Sequence, residues 1–195
     1  LGVLSVKLNP LWKFSVSGTM IRDPRRPYVA VSNHESYADI FLISHLPWEM
    51  KWMSKETMFK IPCFGWMMRM AGDIQVVRGD RKSVVLAMRA ARDRVSKKVS
   101  VMMFPEGTRS KDGKIHDFKR GVSLFAERSQ TPILFLYLEG NGELWPKGAV
   151  FAKPGKLTVH LGPVQPPGPI EDVFASYRNW VETINPEAFS QSLSP

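Results

Sequence analysis

His34 and Asp39 carry the residue types for proton-transfer chemistry in this 195-residue sequence. They lie in Ser32-Asn33-His34-Glu35-Ser36-Tyr37-Ala38-Asp39, between apolar runs at 28–31 and 40–43. Five residues along one helix would turn the two side chains about 140° apart. For them to meet, His34 must precede the helix and Asp39 must lie in its first turns, as at a strand-to-helix junction. Such a pair, with no protein nucleophile beside it, suits general-base chemistry on a substrate hydroxyl: the imidazole takes the proton and the carboxylate fixes its tautomer. A plainer reading also stands. Ser36 can cap the following helix, Asp39 can serve the helix N-terminus, and His34 can be an ordinary turn histidine.

A second stretch, Phe104-Pro105-Glu106-Gly107-Thr108-Arg109-Ser110, follows the apolar run 99–104. Glycine lets a backbone approach a ligand closely. Arg109 offers a planar fork for phosphate, and Glu106 can accept hydrogen bonds from substrate hydroxyls. Other chemistries find no support. His34-Glu35 lacks the second histidine of a zincin, and there is no Gly-x-Ser-x-Gly elbow or Gly-x-x-x-x-Gly-Lys phosphate loop. A single cysteine, Cys63, excludes an intrachain disulfide and zinc held by several cysteines.

The elements that must position these residues alternate. Strands are expected at 13–17, 28–33, 50–54, 73–77, 99–104, 132–138 and 156–161. Helices are expected at 37–46, 81–97, 121–129 and 170–184, with broken helical pieces around Pro62. In the helix at 81–97, Val84, Val85, Met88, Ala91 and Val95 are expected to face the core. The pattern predicts one α/β domain, a mainly parallel central sheet flanked by helices. Ligands of such sheets bind beyond the carboxyl ends of the strands. Three expected ends carry polar clusters: His34, Arg78, and Glu106 to Arg109.

Composition bounds the partners. A hydrophobic content of 44% excludes general disorder, and 27 basic against 18 acidic residues gives a net charge of +9. The excess calls for an anionic partner: phosphate-bearing molecules, an anionic membrane, an acidic protein or nucleic acid. Nucleic acid rests on charge alone. No apolar run is long enough to span a bilayer. The stretch 48–71 holds six of the ten methionines and three of the six tryptophans, interleaved with lysines. It can be a surface touching acyl chains and headgroups, or an ordinary methionine-filled core segment. The chain opens at Leu1, so an upstream segment, such as a membrane anchor, is expected to be missing.

The motifs together resemble the glycerolipid acyltransferase family, in its 1-acyl-sn-glycerol-3-phosphate acyltransferase branch. The first family motif, Asn-His-x-x-x-x-Asp, is similar to residues 33–39. The second, a strand ending in arginine, resembles Gly72-Asp73-Ile74-Gln75-Val76-Val77-Arg78. The third is intact at 104–110. The fourth, a strand opened by proline, resembles Thr131-Pro132-Ile133-Leu134 and is the loosest, with Thr131 and Phe135 where relatives often have valine and proline. The resemblance covers about residues 10–165 of a single acyltransferase domain, followed by a proline-rich segment and helix over 163–195.

This resemblance implies a reaction. His34 would act as general base on the free hydroxyl of a lysophosphatidate-like acceptor, with Asp39 orienting it. The alkoxide would attack an acyl thioester, acyl-CoA or acyl carrier protein, with no acyl-enzyme. Arg109, Arg78 and Lys55 would hold the acceptor phosphate, and Glu106, Gly107 and Thr108 would place the glycerol. Asn33 and Pro132 would support the site. No cofactor or metal is expected. The expected location is the cytoplasmic face of a membrane. Another lysophospholipid or glycerol-3-phosphate as acceptor, or a lipid-binding module without catalysis, are the alternatives.

Overall fold

In the computed structural model, three short runs, Val29–Ser32, Ser100–Met103 and Ile133–Glu139, form the middle of a seven-stranded sheet. The structure describes residues 11–21, 23, 25–146, 149 and 151–189. Arg22 and the end of the tail, 190–195, lie outside them. The strands are β1 (Trp12–Gly18), β2 (Val29–Ser32), β3 (Met50–Lys55), β4 (Ile74–Val76), β5 (Ser100–Met103), β6 (Ile133–Glu139) and β7 (Gly155–Gln165). Their order across the sheet is β1-β7-β6-β2-β5-β3-β4. β2 to β6 all run one way. β7 is antiparallel to β6, and β1 is parallel to β7.

The central strands are apolar at nearly every position because both sheet faces are covered, as parallel sheets require. Val29, Val31, Val101, Met103, Ile133 and Phe135 face one layer. That layer contains α4 (Arg81–Ser96), α5 (Gly121–Ser129) and α7 (Ile170–Glu182). The alternate residues Ala30, Met102, Leu134 and Leu136 face α1 (Ala38–Ile43) and the 46–48 segment. Two short helices, α2 (Glu56–Phe59) and α3 (Phe64–Ala71), link β3 to β4, and α6 (Asn141–Leu144) follows β6.

The cap expected at Ser36 is present: Tyr37 already has helical dihedrals, Ser36 Oγ accepts the Ala38 amide, and Asp39 Oδ2 accepts the Ser36 amide. Two expectations need correcting. In α4, Met88, Ala91 and Val95 pack on the core as expected, together with Ala87, whereas Val85 and Leu86 are 58% and 62% exposed and Val84 is also exposed. The buried arc of this helix is its small-residue arc, which lets it lie close to the sheet. Pro132 sits at the amino end of β6, where its carbonyl accepts the Val29 amide. Because β2 and β6 are parallel, that is the end of the sheet away from His34.

Candidate active site

Five parallel strands deliver their following residues to one edge of the sheet. β2 leads to His34, β3 ends at Lys55, β4 leads to Arg78, β5 leads to 104–110, and β6 leads to Asn141. A crevice at the carboxyl ends of parallel strands is the usual ligand position in open α/β sheets.

The His34 ring and the Asp39 carboxylate meet there, with Nδ1 2.6 Å from Oδ2. Asp39 is fully buried in the first turn of α1. Its Oδ2 also accepts the amides of Glu35 and Ser36, at 2.9 and 3.1 Å. The carboxylate thus closes the turn before the helix and holds the ring with the same oxygen. Such donors satisfy a buried charge that would otherwise be costly. The remaining oxygen, Oδ1, accepts from Asn141 Nδ2 at 2.7 Å.

His34 is fixed from every other side as well. Its ring stacks on Phe104 with centroids 3.8 Å apart and planes 10° apart. Its amide donates to Glu106 Oε1 at 3.0 Å, and its carbonyl accepts the Ser110 amide at 2.7 Å. Residues 104–110 therefore clamp the turn that carries His34. With Nδ1 engaged by Asp39, Nε2 is the nitrogen left for the groove that His34 lines.

That groove has a volume of ≈ 340 Å³. Lys55, Arg78, Thr108 and Arg109 line it together with His34. The Arg109 guanidinium lies over the Tyr37 ring, 4.0 Å from its centroid. Its Nη1 is buried and meets no acceptor. A buried, unpaired guanidinium nitrogen in a groove with two more cations is set up for an anion. A smaller annex of ≈ 140 Å³ shares Met53, Arg78 and Phe104 with the groove and is lined also by Gly107 and Lys119. Gly107 has φ +72°, a backbone conformation that L side chains rarely adopt, so the position favours glycine.

Glu106 takes a different position from the one expected. Its carboxylate is turned inward, and its oxygens accept the amides of His34 and His116. Burial pushes it up to about 7, while those amides pull the other way. It braces the turn rather than facing the groove. Burial likewise raises Glu35 to about 7, with the Asp39 charge adding to the effect.

Asn33 extends the sheet by one step with its side chain. Its Nδ2 donates to the Leu138 carbonyl at 2.9 Å, and its Oδ1 accepts the Leu138 amide at 2.8 Å. Its own amide donates to Tyr177 Oη, which donates to the Leu136 carbonyl. Asn141, Tyr177, Phe104 and Tyr37 were not singled out from sequence. Asn141 and Tyr177 carry no motif and lie 102 and 144 residues from Asp39 and Asn33. Phe104 was visible as the first residue of the third motif. Among the described residues, no group of three or more His, Cys, Asp or Glu could hold a metal ion.

A chain of this sequence and fold matches known proteins. The family model described as Acyltransferase matches residues 13–138, and the chain belongs to that family. It is 34% identical over 160 residues to a 1-acyl-sn-glycerol-3-phosphate acyltransferase of Chlamydomonas reinhardtii, covering 81% of this chain and 48% of that protein. It is 36% identical over 146 residues to the chloroplastic 1-acyl-sn-glycerol-3-phosphate acyltransferase BAT2 of Brassica napus, covering 74% and 42%. The crystal structure of the 1-acyl-sn-glycerophosphate acyltransferase PlsC from Thermotoga maritima superposes with a TM-score of 0.72 at 29% identity, covering 92% of this chain and 74% of that one. The chain spans about half the length of these curated relatives.

Proposed function

We propose that this chain transfers a fatty acyl group from an acyl thioester to the sn-2 hydroxyl of 1-acyl-glycerol-3-phosphate, giving phosphatidate. The observation that carries this reading is His34, held by the buried Asp39 and opening on the groove that Arg109 also lines. The relatives' names supply the acceptor class.

In this mechanism Nε2 of His34 takes the proton of the acceptor hydroxyl as its oxygen bonds to the thioester carbonyl carbon. The carbon–sulfur bond then breaks, and the imidazolium returns the proton to the departing thiolate. Asp39 stabilises the imidazolium and holds the tautomer with Nε2 free. Arg109, Arg78 and Lys55 bind the acceptor phosphate, with Thr108 beside it. Glu106, Gly107 and Asn33 act by shaping the two turns. The donor is acyl-CoA or acyl carrier protein, no cofactor is required, and the protein works at a membrane surface. No helix among the described residues is long and apolar enough to cross a membrane.

The test is an acceptor panel with one acyl-CoA, read by thiol release and by product mass. Phosphatidate formed from 1-acyl-glycerol-3-phosphate in preference to products of glycerol-3-phosphate and other lysophospholipids is the expected result. Vesicle binding with no thiol release from any acceptor would instead mark a lipid-binding module.

A further inference from the structure

Helix α3 turns large apolar residues outward. Gly65 and Met68 face the protein, whereas Trp66 and Met70, one turn apart, are 63% and 81% exposed. Ile61, in the turn before the helix, is exposed too. Scattered exposed apolar residues are ordinary, but three large ones on one hairpin form a patch. Lys60 and Arg69 flank it; Lys60 pairs with Glu56, and Arg69 lies 5.9 Å from the Phe59 ring centroid. The same hairpin forms part of the groove, which Lys55, Thr57 and Met58 line.

We propose that the α2–α3 hairpin inserts Ile61, Trp66 and Met70 into the acyl region of a lipid bilayer, seating the groove mouth at the headgroups. Tryptophan suits the interface between apolar and wet layers, and methionine adapts to disordered chains. Lys55, Lys60 and Arg69 supply positive charge at headgroup level, complementary to an anionic leaflet. The inference gives the Met/Trp/Lys stretch a divided role. Phe59 and Met68 are core residues, and only the outward arc meets lipid. It rests on the proposed function in one respect, that the groove takes a lipid delivered from the bilayer.

The test uses the whole chain with phosphatidylcholine–phosphatidylglycerol vesicles whose acyl chains carry bromine. Wild-type tryptophan emission should be quenched, and Trp66→Phe should lose that component. Trp66→Ser with Met70→Ser should lower vesicle partitioning about tenfold or more. The same double variant should keep the wild-type rate on a short-chain, monomeric acceptor and lose rate on the vesicle-embedded one. Unchanged quenching in Trp66→Phe, or wild-type partitioning of the double variant, would overturn the proposal. So would a double variant that altered only the oligomeric state in vesicle-free solution. Absence of turnover on either acceptor by the wild-type chain would overturn the catalytic reading instead, and the vesicle results would still decide the docking surface.

Discussion

Asn141 donates to the Asp39 carboxylate oxygen that His34 does not use, across 102 residues of chain and 2.7 Å of space. It reaches Asp39 because α6 begins just past the end of β6, beside the β2 turn. Its place matches that of the groups that orient a carboxylate behind a catalytic histidine. Asn141→Ala should lower kcat about tenfold to a hundredfold with a small effect on the acceptor KM, by analogy with supporting-residue losses elsewhere. Steady-state kinetics with the acceptor varied would check it; an effect confined to KM would show that Asn141 serves binding instead.

Arg109 combines a ring contact with an unpaired, buried nitrogen. Arg109→Ala should raise the acceptor KM and leave the donor KM near its wild-type value. Arg109→Lys should restore little, because an ammonium cannot both stack on Tyr37 and present a fork to phosphate. Full recovery with lysine would mean that only the charge matters.

Tyr177 Oη bridges the Leu136 carbonyl and the Asn33 amide in a fully buried position. Tyr177→Phe keeps the ring and leaves both backbone groups short of a partner. It should destabilise the protein by about 1–3 kcal/mol. Chemical denaturation would measure this, and stability within about 0.5 kcal/mol of wild type, the range of a neutral surface change, would refute it.

Glu35 and Glu106 both sit near 7, above the ordinary value of 4.5, chiefly through burial. Between these values the native state binds protons that the unfolded chain has released. Stability conferred by the raised pKa is therefore present below 4.5 and is lost as pH rises through 7. Each carboxyl contributes a fall of at most about 1.4 kcal/mol per pH unit in that window. Glu35→Gln should flatten the decline seen by denaturation between pH 5 and 7. An unchanged slope would remove Glu35 from the account.

Sequence pattern reached the middle of this protein more easily than its edges. β2, β5 and β6 are unbroken apolar runs because both faces of a parallel sheet are covered, and that signal is local. The turn holding His34 and Asp39 was also local, so its geometric demand could be stated beforehand. The role of Glu106 was hidden, since a glutamate that braces two amides and one that faces a ligand look alike in sequence. Helical periodicity in α4 found Met88, Ala91 and Val95 but carried the core face too far, to Val84 and Val85, which point outward because the helix lies on the sheet through Ala87 and Ala91. Pro132 was grouped with the site because it opens a motif, yet strand direction puts it at the far end. Strand direction likewise hid the reversal at β7.

The central claim is that His34, held by Asp39, takes the proton of the acceptor hydroxyl. It is tested most directly by phosphatidate formation from 1-acyl-glycerol-3-phosphate and acyl-CoA with purified His34→Ala, after circular dichroism has shown an unchanged fold. The account predicts a rate lower by about 10²–10⁴-fold or more, the usual contribution of a general base. A folded His34→Ala protein that still makes phosphatidate at a near wild-type rate would contradict it.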